Sequence, residues 1–70
     1  MKLKVEDFNR YLNKKFMFRP EDLTTSFQSR LIQIKLDNKE IKVELDIEGV
    51  GMCWVRASES MLKDMKRANR

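Results

Sequence analysis

Ile41-Lys42-Val43-Glu44-Leu45-Asp46-Ile47-Glu48 alternates four β-favouring apolar residues with four charged ones. That is the period of a strand with one face buried and one face wet. Three of the four outward charges are acidic, in a chain whose formal net charge is +4. The stretch defines a half-buried strand and implies that the excess positive charge lies elsewhere.

Asp37-Asn38-Lys39-Glu40 reads as the turn before this strand, and residues 27–36 as its hairpin partner. A two-residue Asn38-Lys39 loop pairs Leu36 with Ile41, Ile34 with Val43 and Ile32 with Leu45. All six, with Ile47, are predicted to be buried; Lys42, Glu44 and Asp46 are predicted to be exposed. Phe27 and Leu31 are out of phase with that set, which predicts a bulge or bend near Arg30–Leu31. Gly49-Val50-Gly51 breaks the strand. Met52-Cys53-Trp54-Val55-Arg56 follows as another, with either Met52 and Trp54 or Cys53 and Val55 inward. In a meander, residues 41–48 take the centre, and residues 27–36 and 52–56 become the edges.

Helices flank the meander. Val5, Phe8, Leu12 and Phe16 fall at helical spacing, which predicts an amphipathic helix over residues 5–16. Glu6 and Asp7 in its first turn and Lys14 and Lys15 in its last complement the helix dipole. Pro20 starts a new segment and discourages helix at Arg19. Met61, Leu62, Met65 and Ala68 give a last helix its apolar stripe, with Ser58 or Ser60 as N-cap. The expected fold is α+β: helix, three-stranded antiparallel meander, helix (αβββα), in two layers with both helices on one face of the sheet. Residues 1–70 are read as a single small domain.

The chemistry the sequence argues against is broad. It has no histidine, and its single cysteine, Cys53, sits between Met52 and Trp54. Neither a nucleophile with its base nor a zinc site follows from that. The acidic pairs Glu6-Asp7 and Glu21-Asp22 are adjacent in sequence, and neighbours on a helix diverge. Gly49-Val50-Gly51 lacks the remaining parts of a phosphate loop. The expectation is a non-enzymatic protein without cofactor or metal. No apolar run approaches the roughly 20 residues of a membrane span, and no secretory h-region is present. A cytoplasmic location is expected, consistent with one unpaired cysteine.

Charge carries what functional signal remains. Residues 1–20 hold six basic and two acidic side chains, residues 21–48 four and seven, and residues 49–70 five and two. Lys63, Arg67 and Arg70 at i, i+4 and i+7 predict a cationic ridge on one helix face, with Lys66 beside it. Arg10 and Lys14 form a shorter pair on the first helix. Such ridges neutralise phosphates without reading bases, so the first expectation is a small binding module associated with nucleic acid. The alternative is a protein-binding adaptor or inhibitor. It would act through the acidic strand face of Glu44, Asp46 and Glu48 or through an open sheet edge, which also allows a homodimer. Aromatic side chains, Phe16, Phe18 and Trp54 among them, are read mainly as core, with Phe18 the exception.

Helix-strand-strand-strand-helix order with a basic last helix resembles the double-stranded-RNA-binding domain. The motifs depart from it. Asp37-Asn38-Lys39-Glu40 stands at the hairpin where that family carries a Gly-Pro-x-His type segment, and Ser58-Glu59-Ser60 opens the last helix in place of a lysine cluster. In general character the chain also resembles compact accessory proteins of bacteriophages and mobile elements.

Overall fold

The computed structural model describes residues 2–70. Its elements run α1 (Val5–Asn9), β1 (Lys15–Phe18), β2 (Phe27–Asp37), β3 (Glu40–Ile47), β4 (Gly51–Arg56) and α2 (Glu59–Ala68). The strands form one antiparallel sheet in the order β1-β2-β3-β4. The α+β class and the meander are as expected, but the sheet has four strands rather than three. The added strand also removes the likeness in element order to the double-stranded-RNA-binding domain.

The fourth strand comes from the region expected to end the first helix. That helix stops at Asn9, and tight turns follow, with Tyr11 N–H donating to Phe8 and Lys14 N–H to Tyr11. Asn13 adopts φ 65°, a left-handed conformation that asparagine tolerates better than most residues. Its N–H donates to the Leu31 carbonyl at 2.7 Å, and the Leu31 N–H donates to the Lys14 carbonyl at 3.2 Å. The chain has thereby entered the sheet before Phe16. Beyond that point the period is two: Phe16 and Phe18 lie opposite Ser29 and Phe27 on the inward face, whereas Lys15 and Met17 face out. Phe18, expected to lie outside the core, is half-buried against it and meets Phe16 edge-on at 6.4 Å between ring centroids.

The hairpin of β2 and β3 turns as expected. Asn38 and Lys39 have φ 51° and 66°, the pair of positive values a type I′ turn needs. Leu36 pairs with Ile41 and Ile34 with Val43. Leu45, however, pairs with Leu31 rather than Ile32. The bulge lies between Leu31 and Gln33, one residue later than expected, and Ile32 is its extra residue. This shift brings Phe27, Ser29 and Leu31 into phase with Ile34. On β4, Cys53 and Val55 face inward opposite Leu45 and Val43, leaving Met52 and Trp54 outside.

One core cluster joins the inward face of the sheet to Phe8 and Tyr11 from one side and Met61, Leu62 and Met65 from the other. Both helical segments therefore cover the same face, in two layers. Phe8, Leu31, Val43, Leu45 and Met65 are completely buried. The cover is incomplete at the hairpin tip: Leu36 points inward by register but is 64% exposed, contrary to the expectation of burial. Lys42 and Glu44, expected in solvent, are half-buried among neighbours on the outer face; Asp46 is exposed. β4 is one edge, as expected; on the other side β1 covers residues 27–30 as the edge strand, and only the later part of β2, residues 32–37, remains an open edge.

Candidate functional site

α2 is held by its apolar stripe and by its N-cap. Ser58 Oγ accepts from the Met61 N–H at 3.1 Å, satisfying a donor the first turn would otherwise leave free. Met61, Leu62 and Met65 then dock on the sheet, and Lys63, Lys66 and Arg67 are exposed. The helix ends at Ala68 with Asn69 as C-cap. Arg70 therefore lies beyond the helix, and only Lys63 and Arg67 of the expected three-cation ridge share a helix face. Arg10 is the C-cap of α1, and Lys14 lies in the connection to β1, so that pair does not share a helix face either.

A different grouping takes their place. Asn69 Nδ2 donates to the Lys15 carbonyl at 3.2 Å and to the Met65 carbonyl at 2.9 Å. The end of α2 is thus fastened to the start of β1. Lys14, Lys15 and the run Lys66-Arg67-Ala68-Asn69-Arg70 are therefore neighbours at one corner of the sheet; Lys15 and its register partner Arg30 face outward there, away from the side that α2 covers, so the cations line both sides of the corner. All six cations are exposed. Among the described residues none of the six forms an ion pair; the pairs that do form, Lys42 with Asp37 at 3.2 Å and Arg56 with Glu40 at 3.3 Å, lie toward the hairpin tip. Asp46 and Glu48 border the corner on its β3 side, across a cleft of about 210 Å³. The sequence pattern does not disclose Lys15 and Arg30, since Lys15 falls within the helical spacing of residues 5–16 and Arg30 on a strand with no expected neighbour on that side.

The acidic stripe is less continuous than its sequence suggests. Glu44 lies between Gln33 and Trp54 and accepts from Gln33 Nε2 at 3.2 Å. Asp46 lies between Arg30 and Met52. Glu48 has left the strand for the following turn, where its N–H donates to the Gln28 carbonyl. Lys35 Nζ sits 4.5 Å from the Trp54 ring centroid on the same face. Opposite or aromatic neighbours thus break up the acidic row.

Of the other side chains weighed for chemistry, Cys53 is half-buried and faces the core side, and the Asp7 carboxylate accepts the Lys4 N–H at 2.9 Å at the start of α1. Among the described residues no group of three His, Cys, Asp or Glu is placed to hold a metal ion. Nor is any described helix long and apolar enough to cross a membrane. A groove of about 670 Å³ opens at the hairpin tip, between the segment leading into α1, the β2–β3 turn and the β4–α2 junction. Comparison with protein-family models, with curated proteins and with solved structures finds no match to this chain.

Proposed function

We propose that the protein is a small non-enzymatic module that binds nucleic acid through the basic corner of Lys14, Lys15, Arg30, Lys66, Arg67 and Arg70. The observation that carries this reading is the Asn69–Lys15 hydrogen bond, which gathers cations from both ends of the chain without pairing them internally. Unpaired surface cations release condensed counterions when they meet phosphates, and that release favours binding without requiring base recognition. Lys63, one turn before Arg67 on α2, extends the reading along that helix, and Arg10, the C-cap of α1, is a further exposed cation outside the corner.

The test compares two variants of equal charge change. Lys66→Gln/Arg67→Gln/Arg70→Gln removes cations from the corner; Lys2→Gln/Lys4→Gln/Lys39→Gln removes them at the hairpin-tip end. Loss of three phosphate contacts lowers the log–log salt slope for duplex DNA by roughly 3. The corner variant is expected to show that loss and the other variant to keep the wild-type slope. Equal effects of the two variants, or no binding of mixed DNA or RNA by wild-type protein at low salt, would overturn the reading.

A second reading, protein binding through a sheet edge, is favoured by the contrast between the two edges. β1 is four residues long and flanked by Lys14 and Arg19-Pro20, features that discourage strand addition. β4 has neither proline nor charge before Arg56, and its pairing with β3 is unbroken. The Ala57 N–H donates to the Ile41 carbonyl, so by ladder alternation Cys53 and Val55 direct their backbone groups to β3, and Met52 and Trp54 direct theirs to the open edge. Met52 and Trp54 are also the exposed large side chains there. A second copy or another protein's strand would add at this edge. Met52→Pro should block it without breaking the β3 ladder. Sedimentation at micromolar concentration that gives dimers for wild type and monomers for Met52→Pro would support a homodimer; monomers for both would exclude it.

A further inference from the structure

The uncovered end of the core has its own chemistry. Leu36 and Ile41 are register partners on the inward face, Leu36 exposed and Ile41 half-buried, and only the first residues of the two helices, Val5 and Glu59, border the groove there. They form part of the floor of the groove of about 670 Å³, together with Leu3 and Ala57. That volume is within the range of ligand-binding clefts. An exposed leucine on the core side of a sheet leaves apolar area in water that a bound apolar side chain would remove. The rim is mostly cationic, with Lys2 and Lys4 on one bank, Lys39 at the hairpin turn and Arg56 at the end of β4. The rim acids are Glu40 and Glu59, and Glu40 already accepts from Arg56 at 3.3 Å. Among the described residues, Lys2, Lys4 and Lys39 form no ion pair.

We propose that this groove docks a short segment of a partner protein, one that places a large apolar side chain over Leu36 and Ile41 and carboxylates beside Lys2, Lys4 and Lys39. The charge complementarity selects the acidic flanks, and the floor selects the apolar anchor. The cations surround the groove rather than cluster at one point. That arrangement suits several carboxylates spaced along a peptide better than the single head group of a fatty acid. The site lies at the opposite end of β2 from Arg30 and is independent of the nucleic-acid reading.

The test uses the full chain and follows backbone amide shifts by NMR. One probe is a pool of short peptides carrying Leu, Ile, Phe or Met between Asp and Glu. The second is the same pool with Lys and Arg in place of the acids, and the third is laurate. The acidic pool is expected to move the amides of Leu3, Leu36, Ile41 and Ala57, and the basic pool to leave them in place. Leu36→Ser changes an exposed side chain and should preserve the fold while weakening binding about tenfold or more. Lys39→Glu should weaken binding of the acidic pool. Shifts confined to the corner of Lys14, Lys15 and Lys66 would overturn the proposal, as would equal response to both pools, or laurate binding at the groove without peptide binding. Unchanged affinity in Leu36→Ser would also overturn it.

Discussion

Asn69 bonds through its side chain to the carbonyl of Lys15, 54 positions earlier in the chain, at 3.2 Å. The same amide caps the last turn of α2 through Met65. Asn69→Ala removes both bonds. Net hydrogen bonds are worth about 0.5–1.5 kcal/mol each, and these are near the surface, so the variant is expected to lose about 1 kcal/mol. Urea denaturation should show a lower midpoint at an unchanged slope. The cations of α2 would then be less firmly held beside β1, and affinity for nucleic acid should fall although no cation has been removed.

The bulge is tested by neighbouring truncations. Leu31 is completely buried and Ile32 only half-buried. Leu31→Ala is expected to cost about 2–5 kcal/mol, which is enough to unfold a chain this small, and Ile32→Ala distinctly less. Uninterrupted alternation, with Ile32 opposite Leu45, forecasts the reverse order.

The early end of α1 reverses the signs at Asn13. In an exposed helix interior Asn13→Ala would stabilise and Asn13→Gly would cost up to about 1 kcal/mol. At φ 65° the alanine is the strained residue and the glycine the relaxed one. Asn13→Ala is therefore expected to destabilise by about 1–2 kcal/mol and Asn13→Gly to be near neutral. Thermal or chemical denaturation of the two variants distinguishes the cases.

Lys39 holds φ 66° in the hairpin turn, where glycine is the preferred residue. Lys39→Gly should raise stability by a few tenths to about 1 kcal/mol, since relief of left-handed strain exceeds the added freedom of the unfolded chain. The same change removes a rim cation from the hairpin-tip groove. Stability and affinity for acidic peptides are thus expected to move in opposite directions in one variant.

The hairpin was legible because two independent signals agree there. The alternation of residues 41–47 sets the faces, and a two-residue turn with asparagine sets the register. β1 was not legible, because Val5, Phe8, Leu12 and Phe16 fit a helical stripe and a four-residue strand is too short to display its own period. Two local signs pointed the other way: Asn13 as a turn residue, and Phe16 and Phe18 spaced by two. Leu12, on the supposed stripe, is 37% exposed. Alternation also gives the side a residue faces but not what lies above it, which is why Leu36 was placed in the core. The positive ends of the chain were readable from composition. Their meeting was not, because it depends on the path of α2 across the sheet and on one side-chain amide.

Spatial order in the sheet equals order in the chain, so during synthesis each new strand finds the preceding one already present. The covering layer follows a different schedule. Phe8 and Tyr11 precede the strands, but Met61, Leu62 and Met65 come after β4, and until then their share of the inward face stays wet. A released chain truncated after β4 would leave Leu31, Val43 and Leu45 incompletely covered, a sticky surface that invites chaperones or aggregation. α2, which follows β4 in the chain, is therefore the element that completes the cover of the core.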